Sequence, residues 1–402
     1  LAECGAELIV TDLKSREQLA ESVAQLKSFK NVTFVLGEHR LEDFNNRDFI
    51  LKAAGVLLDS PYIAEAKKNN IPVRMSADLF AEISSIPIIG VTGTRGKSTV
   101  THMMHAILKE AGKKVLLGGN VRGVSNLELL KEATLEHIAV LELDSWQCQG
   151  LGEAKMSPHI AIFTTFYQDH LNYYGSTPLT TGKNAMDAYL ADKANIFLHQ
   201  KSDDTLILGK QCAPTVIEKY GDKIESKIIV VDELKLPDTW TLCIPGMHNR
   251  YNAALALAVA RTLGVADSIS RRALESFAGV PGRLELIAEK NGIKIYNDTT
   301  STTPEATNVA ITALSDVGRG TSYIVLIMGG TDKGLDMSAL LAKLPELRRV
   351  ILLAGSGTER IRSELSNAPV YNTLASAVDD AFAHVNEGDT ILFSPAFASF
   401  GM

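Results

Sequence analysis

The stretch "GVTGTRGKST", residues 90–99, follows directly on an apolar strand-like run, "IPII", and combines residue types suited to holding phosphate. Gly93 and Gly96 let the backbone turn with its N–H groups inward, which makes a cradle for phosphate oxygens. The same N–H groups would open a helix, where the dipole favours negative charge. Lys97 could reach the β- and γ-phosphates, the hydroxyl of Ser98 or Thr99 could ligate Mg²⁺, and Thr94 lies in the cradle itself. The longer form of this loop has a further glycine five residues before Gly96, where Val91 stands. A glycine turn followed by a chance Lys-Ser is the bland alternative. The strand–loop–helix context favours a nucleotide.

The 402 residues are 46% hydrophobic and 22% charged, which suits a globular protein of two or three domains. A net charge of −7 with no dense basic run excludes an extended nucleic-acid face. An anionic nucleotide still fits wherever positive groups gather locally. Cys4, Cys148, Cys212 and Cys243 are far apart and form no zinc or disulfide spacing, so a reducing cytoplasm is expected. No apolar run approaches the ~20 residues that span a bilayer. The opening "LAECGAELIVTD" lacks the order of a signal peptide and is expected to start inside an element, with the true N-terminus missing.

Short β-branched runs alternate with helical patterns along the chain, the signature of βαβ units and parallel sheets, so the fold class is α/β. Three segments are predicted: 1–85, 86–281 and 282–402. In the first, strand "ELIVTD" ends in Asp12, which could accept hydrogen bonds from a ribose or base or could simply form a turn. In the second, Val100, Met103, Met104, Ile107, Leu108 and Ala111 follow helical spacing, giving one apolar face, with Gly112 as the stop. "GMHNRYNAALALAVARTLG" reads as a second such helix, ended by Gly264. In the third, the "NG" of "AEKNGIKIY" signals a hairpin, followed by alternating helices and strands.

The shortened loop "GTRGKST" resembles that of the Mur ligase superfamily, ATP-dependent amide-forming enzymes of peptidoglycan synthesis. Further motifs follow in the family's order through the chain. "LELDSWQ" is similar to the strand carrying a metal-binding glutamate, here Glu142, and "FYQDHLNYYG" to the motif whose histidine, here His170, is a metal ligand. "YLADKANIF" resembles the segment whose lysine, here Lys193, is carbamylated. "GMHNRYNAALA" puts Asn249 and Asn252 near the adenine, and "GRLE" and "YNDTTSTTPEAT" supply Arg283 and Asp298 as nucleotide contacts. Asn120 in "GGNVRG" matches a residue close to the UDP-sugar. "NDTTSTTPEAT", "MGGTDKG" and "SPAFASF" look most like the branch that adds D-glutamate to UDP-N-acetylmuramoyl-L-alanine, with Thr302, Lys333 and Ser399 holding the amino acid. Two departures stand out: Asp144-Ser145-Trp146-Gln147 where Ser-Ser-Phe-Gln is usual, and Thr300 where a lysine is frequent.

The resemblance implies an N-terminal Rossmann-like domain for the UDP substrate, truncated at its start. It also implies a central P-loop ATPase-type mononucleotide-binding domain and a C-terminal Rossmann-like domain for the amino acid, in a cytoplasmic monomer. Two Mg²⁺ ions are implied, one on Ser98 or Thr99 with Glu142, the other near His170. Lysine is cationic and cannot ligate Mg²⁺, but a carbamate on Lys193 would present the hard oxygen that Mg²⁺ prefers. Closure of the third domain over the second is expected to shelter an acyl phosphate from water. Each residue has a bland competitor: Glu142 as a strand end, His170 as a satisfied structural imidazole, Lys193 as a solvated side chain, Asn249 as a helix cap.

Folylpolyglutamate synthase shares the last two domains but begins almost at its P-loop, whereas some 85 residues precede the loop here. Other muropeptide ligases differ only in the third domain. A P-loop switch or motor would account for "VLELD" but not for His170, Lys193, "HNRYN" and Lys333 together.

Overall fold

A computed structural model describes residues 1–169, 171–174, 185–317 and 320–398. The chain divides into two compact units, residues 1–97 with 112–231, and residues 98–111 with 232–402.

The first unit opens with β1 (Leu8–Asp12), α1 (Ala20–Leu26), β2 (Val32–Leu36), β3 (Ile50–Leu51), α2 (Pro61–Lys68), β4 (Val73–Arg74) and α3 (Ser76–Ser84). β1 pairs in parallel with β2, and β3 with β4. The alternation read in residues 1–85 is present, carried by two separate parallel pairs rather than one continuous sheet. α2 starts where its chemistry says it should: Pro61 takes the first turn and the Ser60 hydroxyl accepts the Ile63 N–H. Ile63 and Ala66 of that helix pack with Phe44, Ile71 and Val73 in a small core.

Then come β5 (Ile88–Thr92), α4 (Lys97–Glu110), β6 (Lys114–Gly119), β7 (His137–Glu142), α5 (Ser145–Glu153), β8 (Ile160–Phe163) and α6 (Leu171–Tyr174). They are followed by α7 (Ala185–Ala194), β9 (Thr205–Gly209), α8 (Ala213–Tyr220) and β10 (Lys227–Val231). The strands form one parallel sheet in the order β10-β9-β8-β5-β7-β6, with β5 in its interior. Leu141, Phe163, Leu206 and Leu208 point to one face, into a core with Phe80, Leu190 and Phe197. Their alternates Val140, Ile162 and Ile207 are fully buried as well, so the strands are apolar on both sides, as parallel strands must be. Parallel pairing brings the carboxyl ends of β5, β6 and β7, at Thr92, Gly119 and Glu142, to one edge.

In the second unit, Val100, Met103, Met104, Ile107 and Leu108 of α4 are completely buried, the stripe that the 3-and-4 spacing predicts. α9 (Met247–Thr262) and α10 (Asp267–Glu275) follow in this unit, with Gly264 at φ +71° ending α9 as expected. Next are β11 (Glu285–Lys290), β12 (Ile293–Asn297), α11 (Pro304–Val317), β13 (Ile324–Gly329), α12 (Ser338–Leu341) and β14 (Arg349–Leu353). The last elements are α13 (Ser356–Ile361), β15 (Val370–Tyr371), α14 (Leu374–Ala383) and β16 (Thr390–Phe393). The sheet order is β11-β12-β16-β13-β14-β15, parallel apart from the β11–β12 hairpin. Asn291 and Gly292 form that hairpin's turn with φ of +51° and +72°, the two positive values a type I′ turn demands. Leu326, Met328 and Leu392 face α11 through Ile311 and Leu314, while Val325, Ile327 and Ile351 face α14 through Ala377 and Ala381.

Among the described residues no helix is long and apolar enough to cross a membrane.

Gly119 shows how tightly the carboxyl edge of the central sheet is drawn. Its φ is +85°, and a β-carbon there would run into the backbone O and N of Glu142. Gly119→Ala is expected to destabilise the chain by about 2–4 kcal/mol, read from the urea midpoint. An unchanged midpoint would contradict this packing.

Candidate functional site

The phosphate-loop candidate is built at the end of β5. Val91, where the longer loop has glycine, lies inside the strand, completely buried and paired with Glu142 and Ile162. The turn begins only at Gly93, so glycine is not needed at 91. Gly93 and Gly96 have φ of +140° and +86°. A β-carbon on Gly93 would strike the Thr164 hydroxyl and lie 2.9 Å from the Thr165 N. Those two threonines, just past β8, hold the loop. The Thr165 carbonyl accepts the Thr94 N–H at 2.7 Å. The Thr165 hydroxyl accepts the Arg95 N–H at 2.9 Å, and the Thr164 hydroxyl donates to the Arg95 carbonyl at 2.6 Å.

Lys97 opens α4 and curls back over the loop, its Nζ donating to the Gly93 carbonyl at 3.0 Å and the Thr94 carbonyl at 3.3 Å. A second lysine reaches the same carbonyl from another element. Lys193, near the end of α7 and only 1% exposed, donates to the Gly93 carbonyl at 2.9 Å and the Thr92 hydroxyl at 3.2 Å. Its Nζ also sits 4.9 Å from the Tyr189 ring centroid. Burial first, and the positive charge of Lys97 second, push the Lys193 ammonium down to about 7. The solvated-helix alternative for Lys193 is therefore excluded by its position.

Glu142 ends β7, 3% exposed. A carboxylate set this deep calls for a positive partner. Its backbone carbonyl accepts the Asn120 N–H at 2.7 Å, leaving the Asn120 side chain exposed at the same sheet edge. Asp144, which stands where the family usually has serine, forms a capping box for α5 with Gln147: the Asp144 carboxylate accepts the Gln147 N–H at 2.8 Å, and the Gln147 side-chain Oε1 accepts the Asp144 N–H at 3.2 Å. Cys148 is buried against Thr92 and its thiol is pushed up to about 12, which makes it inert. Asp192, beside Lys193, accepts from the Gln149 side chain at 2.6 Å and is raised by burial to about 6.

Ser98 and Thr99 occupy the first turn of α4, Ser98 buried and Thr99 half-buried. Among the described residues no group of three or more His, Cys, Asp or Glu could hold a metal ion. His170 and Ser399 lie outside the described residues. Asp12 receives the Lys14 N–H at 2.8 Å, which is the turn-forming geometry of an acid at a strand end.

The second unit brings the remaining candidates into three small groups. On α9, Asn249 and Asn252 are buried; the Asn249 amide donates to the Pro245 carbonyl at 2.7 Å and accepts from Asn252 at 3.3 Å. Arg283 is exposed on a turn whose shape Asp298 fixes. The Asp298 carboxylate accepts the Leu284 N–H at 2.9 Å and the Ser394 hydroxyl at 2.8 Å, and Leu284 takes φ of +47°. Burial raises the Asp298 pKa against the pull of these donors. Finally, the Lys333 Nζ donates to the Thr302 hydroxyl at 3.0 Å, joining two loops at the carboxyl ends of β13 and β12. Reading the sequence did not single out Thr92, Thr164, Thr165 or Ser394. Only the hydroxyl pair in "FTTF", directly behind a strand, offered a signal.

A parallel sheet with a candidate phosphate loop at its carboxyl edge, followed by a second α/β sheet with polar loops at its own, is the layout of a nucleotide-binding α/β protein. Residues 91–260 match the Mur ligase middle domain and residues 282–397 match the Mur ligase, glutamate ligase domain. A UDP-N-acetylmuramoylalanine--D-glutamate ligase of Roseiflexus sp. (strain RS-1) is 34% identical over 439 residues, covering 100% of this chain and 91% of that protein. One from Borreliella burgdorferi (strain ZS7) is 33% identical, covering 100% and 89%. The solved structure of a MurF ligase from Thermotoga maritima in complex with ADP shares the fold, with a TM-score of 0.59 at 19% identity, over 88% of this chain and 95% of that one. The chain belongs to the Mur ligase family.

The state of Lys193 has a consequence for stability. Its pKa falls from 10.5 to about 7 on folding, so the cost of its charge is full below about pH 7 and is relieved as pH rises towards 10.5. Lys193→Met removes that dependence. In carbonate-free buffer its stability relative to the parent chain should be more favourable at about pH 6 than at about pH 9, by a difference of about 2 kcal/mol in denaturant unfolding. An equal effect at both would mean that Lys193 is not buried as described.

Proposed function

We propose that this chain joins D-glutamate to UDP-N-acetylmuramoyl-L-alanine, using ATP and releasing ADP and phosphate through an acyl-phosphate intermediate. The convergence of Lys97 and Lys193 on the Gly93 carbonyl, at the sheet edge that also carries Glu142, is the observation that carries this reading. The full-length similarity to D-glutamate ligases supports the choice of amino acid, and the ADP of the Thermotoga relative supports the nucleotide.

Making an amide from a carboxylate in water requires the carboxylate to be activated. Transfer of the γ-phosphoryl group brings two anions together, so the protein's part is mainly positioning and charge neutralisation. Gly93, Thr94 and Gly96 cradle the phosphates, and Lys97 turns from the loop carbonyls to the β- and γ-phosphates. Ser98 or Thr99 and the carboxylate of Glu142 suit one Mg²⁺, and His170 a second; bound there, the ions would offset charge on the phosphates and on the substrate carboxylate. Lys193 has a substantial neutral fraction near pH 7, the form that takes up carbon dioxide, and its carbamate would add an oxygen ligand. Asn249 and Asn252 serve the adenine side. Arg283 contacts the nucleotide, with Asp298 there or holding the turn that presents it. Asp12 and Asn120 serve the UDP-sugar, and Thr302, Lys333 and Ser399 the amino acid. The resulting amine attack on the acyl phosphate expels phosphate and leaves the amide.

We further propose three domains at 1–85, 86–281 and 282–402, with one six-stranded sheet in each of the last two, in a cytoplasmic monomer.

Phosphate release with ATP, Mg²⁺ and UDP-N-acetylmuramoyl-L-alanine, measured against a panel of D- and L-amino acids, tests the proposal. D-Glutamate should give the fastest release, and Lys97→Ala should lower it by about two orders of magnitude or more. Release that ignores both the muramoyl substrate and the amino acid would instead make the chain a nucleotide-driven switch.

A further inference from the structure

The loop from Gly330 to Met337 carries Lys333 from the end of β13 to α12. Such a glycine-containing surface loop would ordinarily sample many conformations. Here it is fastened on both sides of Lys333 by one side chain. Arg360, in the last turn of α13, donates from Nη1 to the Asp332 carboxylate at 2.8 Å and from Nη2 to the Leu335 carbonyl at 2.8 Å. The same Asp332 oxygen accepts the Gly334 N–H at 3.0 Å, with Gly334 at φ +69°, so the chain turns tightly around Lys333. The Ser356 hydroxyl, in the first turn of α13, accepts the Asp332 N–H at 3.0 Å.

α13 is itself seated closely on this loop. The Gly357 N–H donates to the Gly330 carbonyl at 2.9 Å. A β-carbon on Gly355 would lie 2.5 Å from the Gly330 carbonyl oxygen, and one on Gly357 would enter the Phe397 ring. The guanidinium therefore projects from a fixed base. The Gly334 amide and Arg360 together hold the Asp332 carboxyl below its ordinary range. Arg360 is 38% exposed and Asp332 28%, so as a plain ion pair the contact would add little to stability. A planar guanidinium that grips two points three residues apart restricts geometry instead, and a lysine cannot reproduce that fork.

We propose that Arg360 is a positioning residue for the amino-acid substrate: by clamping Asp332 and the Leu335 carbonyl, it presets the Lys333 ammonium against Thr302. The inference rests on the assignment of Lys333 and Thr302 to that substrate. Lys333 bridges to Thr302 only if the loop keeps its present turn, and Arg360 removes the entropy that ordering the loop would otherwise cost at binding.

Steady-state kinetics of the full chain with ATP, UDP-N-acetylmuramoyl-L-alanine and D-glutamate tests this. Arg360→Ala should raise the KM for D-glutamate about tenfold, the equivalent of one lost anchor, and leave the KM values of the other two substrates and the thermal midpoint nearly unchanged. Arg360→Lys should recover only part of the loss. Asp332→Asn, which keeps the side-chain volume, should raise the same KM, and its combination with Arg360→Ala should be less than additive because both break one clamp. This variant carries the test if Arg360→Ala fails to fold. An unchanged KM for D-glutamate, or an equal rise in all three, overturns the clamp. Lys333→Ala separates the two ideas: if it too leaves the D-glutamate KM unchanged, the assignment of Lys333 fails, whereas a rise there with none for Arg360→Ala removes Arg360 alone.

Discussion

One carbonyl oxygen, that of Gly93, takes hydrogen bonds from two lysines reached from different elements. Burial first, and the positive charge of Lys97 second, push Lys193 down to about 7, so the pair need not carry two full charges. The arrangement depends on Gly93 having no side chain, since the Thr164 hydroxyl fills the space where one would be. It depends equally on β5 lying in the interior of a parallel sheet, between β7 and β8, because Thr92, Thr164 and Glu142 are the residues those strands deliver. Positive charge gathered at one oxygen, at a sheet edge that also carries a buried carboxylate, is what the proposed binding of a polyanion with a divalent cation would use.

The second unit solves a related problem with different means. Asp298, Thr302 and Lys333 follow the carboxyl ends of β12 and β13, with Ser394 at that of β16, brought to one edge by parallel pairing. None of them is a free-standing charge. Asp298 is satisfied by the Leu284 N–H and the Ser394 hydroxyl, and those bonds hold a leucine at positive φ beside Arg283. Lys333 is bridged to Thr302 from a loop that is anchored on both flanks. Side chains that read as ligand contacts are thus also the braces of their own loops, and substitution at any of them changes shape along with chemistry.

Much of this was legible in the sequence, for local reasons. The order of strands and helices follows from periodicity, the β11–β12 hairpin from Asn291-Gly292, and the phosphate loop from glycines between a strand and a helix. The Asp-x-x-Gln spacing of residues 144–147 is itself a capping-box signature, with Asp144 standing where the family's pattern has serine. What stayed hidden was non-local. Lys193 sits in "YLADKANIF", whose composition resembles any solvated helix, and its burial comes from elements about a hundred positions away in sequence. Ser394 lies 96 residues after the Asp298 it holds, and no spacing rule links them. The paired short strands of residues 1–85 likewise fell short of a continuous sheet, because β3 and β4 are only two residues long.

The central claim is that the carboxylate is activated by phosphoryl transfer at the Gly93 loop before any nitrogen attacks. Tracing heavy oxygen tests it most directly. UDP-N-acetylmuramoyl-L-alanine labelled in both oxygens of its alanyl carboxylate is turned over with ATP and D-glutamate, and the liberated phosphate is analysed by mass. Activation as an acyl phosphate predicts that one of the two labelled oxygens appears in phosphate for each amide formed, while the other stays in the amide carbonyl. Phosphate free of label, with amide formed at the normal rate, would contradict the account.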